Sequence, residues 1–325
     1  MADVEISQTC MSIVKGALVF FGIFGSFGCI NIIFATYLHK TLKSKCGLLL
    51  AFLAFNNLIC LLFELLSAIR LISNTAEMSR KKCFWSISPY LFTESMQAYM
   101  LCCVGIDRLI AICCPIKYML WNTKPYVLAI ITPGVIYSST LVTLGALFLD
   151  NQTVPVCNPP LAYPESISQI WNVATIAICC FTASFYIMTY VMLFKIAPRK
   201  TTDISVIAQI RIQKILVKTL TINVCVYFFS AVLCAFFIFI MRVIRINEQF
   251  ITEAETYAVI PGLASYSLDY YIYFWRSSEY RQAFKKQLFC GCLHKKNGRF
   301  STAAKVTTMM VARVEHTKIH GSMST

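Results

Sequence analysis

Histidine and charged residues are scarce in this sequence. Only 4 of the 325 residues are histidine, and 14% are charged. No HExxH, CxxC, GxSxG or phosphate-loop pattern occurs in the chain. Metal and nucleophilic catalysis need His, Asp, Glu or Cys side chains clustered at ligand or catalytic spacing. The sequence therefore predicts no enzyme activity, no metal site and no cofactor.

Polar residues also interrupt the hydrophobic segments only rarely. Hydrophobic residues make up 58% of the chain, which is far more than a soluble domain of this size carries. Seven runs are long enough to span a bilayer. They cover residues 14–38, 46–69, 84–112, 126–149, 170–194, 215–241 and 257–275. These runs predict an all-α membrane protein, a seven-transmembrane helix bundle, although one run could instead be a buried or re-entrant segment.

The basic residues predict the orientation of this bundle. Most of the 29 Lys and Arg residues lie near the ends of the first, third, fifth and seventh runs, and such segments face the cytosol. The N-terminus is then extracellular and the C-terminus cytosolic in a plasma-membrane protein. The sequon Asn151-Gln152-Thr153 falls in an outer loop, as glycosylation requires. Because the basic residues are concentrated on one side, topology and anionic lipid explain the net charge of +14 better than nucleic acid does.

The termini are predicted to flank the bundle as separate segments. We expect an extracellular N-terminus over 1–12, a transmembrane domain over 13–275, an amphipathic membrane-surface helix over 276–292 and a disordered cytosolic tail over 293–325. Cys290 and Cys292, just beyond the last apolar positions, either carry acyl groups or remain free thiols.

The third run ends in a charged pair. Asp107-Arg108-Leu109-Ile110-Ala111-Ile112, followed by Pro115, resembles the Asp-Arg-Tyr-x-Ala-Ile-x-x-Pro ending of the third helix of seven-helix G-protein-coupled receptors. The whole pattern is most similar to nematode serpentine chemoreceptors of class SX. The segments that carry this similarity are 42–49, 60–64, 107–118 and 271–281, and the resemblance covers residues 13 to about 289.

This resemblance implies a chemosensory receptor that binds an extracellular ligand within the bundle and activates a heterotrimeric G protein. It also implies a disulfide between Cys83 and Cys157, which leaves Cys10 free or paired between chains. The residues assigned to coupling are Asp107, Arg108, Arg211, Lys214, Lys218 and Tyr273. Because no acid stands at the base of the sixth run, Asp107 is the expected partner of Arg108. The alternatives are a non-signalling subunit of a receptor heteromer and a transporter, although no internal repeat supports a transporter.

At two positions this sequence differs from the family pattern, and together they exchange an amide and a carboxylate. Asn57 stands where the family usually has a buried aspartate, and Asp269 stands where it has the asparagine of Asn-Pro-x-x-Tyr. We expect the two side chains to touch across the bundle, with Asn31 nearby, because buried polar groups need partners. Asp269 could also be protonated or hold a cation. In the first run, Gly22, Gly25 and Gly28 allow close helix contact.

Carboxylates within the apolar runs indicate a ligand site. Acids inside a membrane are rare and usually functional. The predicted pocket consists of Glu64, Tyr90, Glu94, Gln97, Asn172 and Tyr266. The alternative is that Glu64 and Glu94 only satisfy each other or a neighbouring hydroxyl group. The ligand is then an odorant, another small molecule or a peptide, and an amine is disfavoured because Tyr90 replaces the aspartate typical of monoamine receptors.

Overall fold

The computed structural model describes residues 8–154, 156–196, 204–232, 236–237, 240–241, 244, 250, 254, 257 and 259–288. Its α-helices are α1 (Gln8–Leu38), α2 (Lys45–Ile72), α3 (Arg80–Cys113), α4 (Pro115–Leu120), α5 (Thr123–Leu147), α6 (Pro159–Ala162), α7 (Glu165–Val191), α8 (Ile204–Tyr227), α9 (Val259–Ser267), α10 (Asp269–Arg276) and α11 (Ser278–Leu288). A 3₁₀ turn spans Lys40–Leu42, π-helical turns span Met192–Ile196 and Phe228–Val232, and two short strands are β1 (Met78–Ser79) and β2 (Thr153–Val154).

Five helices in the described part of the chain are long and apolar enough to cross a membrane. They are Thr9–Leu38, Lys45–Ile72, Arg80–Cys113, Thr123–Leu147 and Glu165–Phe194. Helices satisfy their own backbone hydrogen bonds, as a bilayer interior demands. This confirms the predicted all-α membrane class. The sixth and seventh runs correspond to α8 with its π turn and to α9 with α10.

The third long helix, α3, lies at the centre of the bundle. It packs against α2, α5 and α7, and its inward face is buried from Cys83 to Ala111. Helix α1 packs against α2 on one side and against α9, α10 and α11 on the other. Serine side chains cap the starts of α2 and α3: Gly47 N–H donates to Ser44 Oγ at 3.1 Å, and Lys82 N–H donates to Ser79 Oγ at 3.4 Å.

The seventh run is broken at Leu268, where α9 ends and α10 begins. No proline stands at the break. Instead, Ser265 Oγ donates to the Gly262 carbonyl at 2.7 Å, and Ser267 Oγ donates to the Leu263 carbonyl at 2.9 Å. Such side-chain bonds to the preceding turn compete with the backbone ladder and bend a helix. These serine bonds accompany the break, and Tyr270 takes the place of the proline in the family motif.

Gly25 of α1 allows this helix to lie close to α9. A Cβ atom on Gly25 would lie 2.6 Å from Ser267 Cβ and 3.0 Å from Ser267 Cα. We expect Gly25→Ala to destabilise the bundle by about 1 to 3 kcal/mol, because overpacking must push the two helices apart. The thermal unfolding midpoint in detergent measures this change.

Gly16 provides the matched control for that substitution, since nothing lies within 4 Å of a Cβ atom placed there. Gly16→Ala should leave the midpoint unchanged or raise it slightly, because alanine favours helix. Equal midpoints for the two variants would contradict the close α1–α9 contact.

A disulfide ties the segment after α5 to the start of α3. The bond joins Cys83 to Cys157, as predicted. Strand β1 also pairs antiparallel with β2, with Met78 opposite Val154 and Ser79 opposite Thr153. We call this side of the bundle the disulfide end and the opposite side the Arg108 end.

Arg80 makes four polar contacts with the same segment. Its guanidinium forms an ion pair with Asp150, donates to Gln152 Oε1 at 3.2 Å and donates to the Leu161 carbonyl at 3.1 Å. Its backbone N–H donates to the Gln152 carbonyl at 2.7 Å. A guanidinium can satisfy several acceptors at once because it presents five donors in a rigid plane. Arg80 therefore holds this segment over the disulfide end of the bundle.

Candidate functional site

Asp107 and Arg108 are buried together at the Arg108 end. Their side chains are 0% and 3% exposed. Arg108 Nε donates to Asp107 Oδ2 at 3.0 Å, and a second guanidinium nitrogen forms an ion pair with the same oxygen. Two donors on one carboxylate give a short, oriented, charge-assisted contact. The expected local partnership of Asp107 with Arg108 is therefore present.

Two tyrosines complete this cluster. Tyr118 lies on α4 and Tyr126 on α5, and each hydroxyl donates to Asp107 Oδ1 at 3.0 Å. Arg108 Nη2 donates to the Tyr118 hydroxyl at 3.1 Å. Burial raises the pKa of Tyr118, so its phenol keeps the proton that it donates. The Asp107 carboxylate is thus shared among α3, α4 and α5.

Lys45 joins α2 to the cluster. Its ammonium donates to the Tyr118 backbone carbonyl and lies 4.3 Å from the centre of the Tyr118 ring and 5.3 Å from that of Tyr126. An ammonium over a tyrosine ring is held by the ring's negative face. We name Lys45, Asp107, Arg108, Tyr118 and Tyr126 the arginine cluster. It fixes the position of α4 beside the end of α3.

The remaining coupling residues lie on α8 and α10. Tyr273 is buried, and its hydroxyl accepts a hydrogen bond from Asn223 Nδ2 at 3.0 Å, which links α10 to α8. Lys214 and Lys218 both approach the ring of Phe194, at 5.0 and 5.5 Å. The side chain of Arg211 lies outside the described part of the structure.

The exchanged polar pair meets in the middle of the bundle. Asn57 Nδ2 on α2 donates to Asp269 Oδ2 on α10 at 3.0 Å. Both side chains are buried. Asn31 does not join them, because its amide donates to the Phe27 carbonyl of its own helix at 2.7 Å. The pair therefore connects α2 with the helix that begins directly after the break at Leu268.

Two glutamates and two tyrosines lie nearer the disulfide end. The Tyr90 hydroxyl donates to Glu64, and the Tyr266 hydroxyl lies 3.4 Å from Glu94 Oε1. The second carboxylate oxygen of Glu94 is buried and has no hydrogen-bond partner among the described residues. Both acids thus contact hydroxyl groups, as the alternative to a ligand site predicts. The second oxygen of Glu94 still lacks a donor among the described residues. We call these four residues the glutamate group.

The other predicted site residues differ in how far they are buried, and some lie outside the described residues. Gln97 is buried on α3, whereas Asn172 on α7 is exposed. Asn151 is exposed beside β2, where an enzyme could reach it. Cys10 is buried and unbonded to another cysteine in the described part. Cys290 and Cys292 lie outside the described residues.

A model of the family described as serpentine type 7TM GPCR chemoreceptor Srsx matches residues 22–288. The chain belongs to this family. The match runs from α1 to the end of α11 and includes the arginine cluster, the polar pair and the glutamate group. A comparison with curated proteins finds no match. The predicted class is therefore confirmed, and this Srsx chemoreceptor is a multi-pass membrane protein of a receptor family.

Sequence reasoning missed several contacts of the Srsx chemoreceptor. From sequence, Lys45 contributes only to the orientation and to the resemblance, and Tyr118 only to the resemblance, although both belong to the arginine cluster. Tyr126 and Asn223 carried no signal beyond their polarity. Arg80 directly follows β1 and begins a run of three basic residues, which gives no sign of its contacts. Long-range partners of this kind are set by how helices pack, which local spacing does not encode.

Proposed function

We propose that this Srsx chemoreceptor sits in the plasma membrane with its N-terminus outside and its C-terminus in the cytosol. Basic residues concentrate toward the Arg108 end, as in cytosolic segments of membrane proteins. The Cys83–Cys157 bond and the exposed Asn151 lie at the disulfide end, which suits an oxidising compartment in which glycosylation occurs.

The ligand, in this proposal, binds on the extracellular side of the glutamate group. Buried carboxylates and phenols give a site both hydrogen-bond acceptors and donors. One oxygen of Glu94 is buried and has no hydrogen-bond partner in the part of the chain that the structure describes. It supports a role in binding, since an unmet acceptor costs free energy that a ligand donor would recover. Gln97 and Asn172 also belong to the proposed pocket, Gln97 as a buried residue of α3 and Asn172 as an exposed residue of α7.

The proposed output is activation of a heterotrimeric G protein at the Arg108 end. The observation that carries it is the buried Arg108 guanidinium, held by Asp107 and Tyr118 in a member of a chemoreceptor family. An agonist shifts an equilibrium only if it binds the active state more tightly. In that state Arg108 leaves these partners and donates to a G-protein helix, while α8 moves and the Asn223–Tyr273 bond opens.

The first test of this function is Arg108→Ala. Ligand-evoked G-protein activation should fall about tenfold or more at matched surface level, because a hydrogen bond to a charged group contributes about 1.5 to 3 kcal/mol. A screen of odorants, small acids and peptides in cultured cells, with several Gα subunits, supplies the signal.

Two further variants make this test specific. Arg108→Lys keeps a cation beside Asp107 and so protects folding, but it lacks the planar fork and should also signal weakly. Lys40→Ala removes an exposed cation from the turn after α1 and should signal normally. Full signalling by Arg108→Ala, or no signal from any well-expressed form, would reject coupling through Arg108.

A further inference from the structure

Two adjacent cysteines close the Arg108 end of α3. Cys113 is the last residue of α3 and Cys114 is its C-cap, and both are exposed. They lie five and six residues beyond Arg108, which places them about 8 Å farther along the helix axis. The other exposed free cysteines among the described residues are Cys180, near the middle of α7, and Cys225, in the last turn of α8.

Neighbouring side chains place this pair at the boundary between lipid and water. Trp121, which is half exposed, stacks on Tyr126 with ring centres 5.7 Å apart and an interplanar angle of 24°. Lys117 and Lys124 flank these rings in sequence. Tryptophan, tyrosine and lysine concentrate at membrane interfaces, where one part of each side chain is apolar and another is hydrated.

The short helix that follows the pair is apolar and uncovered. Ile116 is 75% exposed and Leu120 is 53% exposed on α4, and no described residue buries them. An amphipathic helix at an interface places such side chains among the acyl chains of the bilayer. The cysteine pair therefore stands where a thiol meets the inner leaflet and where an added acyl chain would continue the same apolar surface.

We propose that Cys113 and Cys114 are S-acylation sites, a proposal that rests on the orientation proposed above. The thiol sulfur attacks the carbonyl carbon of a long-chain acyl-coenzyme A. A cysteine thioester forms, the bond to coenzyme A breaks, and the thiol proton passes to the departing coenzyme A sulfur. Cysteines next to a membrane span are the usual acceptors of reversible acylation.

The acyl chain would hold α4 against the membrane. Tyr118 lies between Ile116 and Leu120 on α4, and its hydroxyl joins Arg108 to Asp107. Anchoring α4 therefore stabilises the arginine cluster in the form seen here. Removal of the acyl group frees α4 to move and so makes release of Arg108 easier.

The test measures acylation directly on the full chain with Cys290→Ser and Cys292→Ser, so that tail thiols do not contribute. Free thiols are blocked, thioesters are cleaved with hydroxylamine, and a maleimide polymer then adds one mass step per acylated cysteine. We expect one or two hydroxylamine-dependent steps. Adding Cys113→Ser and Cys114→Ser should remove all of them, whereas adding Cys180→Ser should remove none.

A second measurement uses the unaltered receptor, so it still tests the proposal if the cysteine variants fail to reach the membrane. Trypsin cuts after Arg108 and Lys117, so residues 109–117 of the unaltered receptor form one peptide whose mass reports its acylation. No acyl mass on that peptide, or mass steps that persist without both cysteines, would overturn the proposal. Loss of acylation with intact Arg108-dependent signalling would leave the proposed function standing.

Discussion

Asn57→Asp is expected to destabilise the receptor by on the order of 3 kcal/mol, because it sets a second carboxyl group 3.0 Å from Asp269 in the bundle interior. The amide donor that satisfied Asp269 is gone, and two carboxyl groups at hydrogen-bond distance repel unless they bind a proton. Adding Asp269→Asn restores one acid and one amide with their helices exchanged. The double variant should recover at least half of the lost stability. Thermal unfolding in detergent and the surface level in cells measure both effects.

The neighbouring Asn56 makes this rescue specific. Asn56 is also buried on α2, but its amide donates to the Phe52 carbonyl of the same helix at 2.8 Å. Asn56→Asp should therefore be harmful in a way that Asp269→Asn does not repair. If Asp269→Asn also fails to raise the unfolding midpoint of Asn57→Asp, the two side chains do not act as a pair.

The Asn57–Asp269 contact was accessible from sequence for a physical reason. Each residue interrupts an apolar run, and a bilayer offers no water to a lone buried amide or carboxylate. Similarity to the family then supplied the register that made the two face each other. The same reasoning located the helices, because apolar runs of span length have few alternatives in a membrane.

Other parts of the sites depended on geometry that spacing does not carry. Tyr118 reaches Asp107 only because α4 turns back beside α3, and Lys45 reaches Tyr118 from a different helix. The break at Leu268 has no proline at it, so no helix breaker in the sequence marks its position. Gln97 is buried on α3 and Asn172 is exposed on α7, a difference in burial that the sequence does not show. The position of a residue along a helix can be read from the sequence, whereas the rotation of the helix about its axis is set by packing.

In the proposed function, the break at Leu268 lets α10 move relative to α9. Tyr266 is in α9 and contacts Glu94, whereas Asp269 and Tyr273 are in α10 and contact α2 and α8. A ligand that displaces Tyr266 therefore acts on the segment just before the break. In the proposed function, rotation of α10 about Leu268 transmits this displacement to the Asn223–Tyr273 bond. Hinges of this kind absorb backbone change at the ends of helices.

Loss of the Cys83–Cys157 bond is the second change expected to have a large effect. The bond closes a loop with a sequence separation of 74, and removing such a bond costs about 2 to 4 kcal/mol. It also frees the segment that β1 and Arg80 hold over the disulfide end. We expect Cys83→Ser with Cys157→Ser to lower the unfolding midpoint and the surface level strongly. Both are measured on the chain produced in cultured cells.

The single variants show whether the lost stability comes from the disulfide bond itself. Because either substitution removes the same bond, Cys83→Ser, Cys157→Ser and the double variant should lose similar stability rather than add their effects. A single variant that falls below the double would reflect mispairing of the remaining thiol, which Cys10→Ser in the same chain should relieve. Cys180→Ser, an exposed thiol without a disulfide, should have no effect. Additive losses from the two single variants would mean that each cysteine stabilises the receptor by packing, and that the bond contributes little.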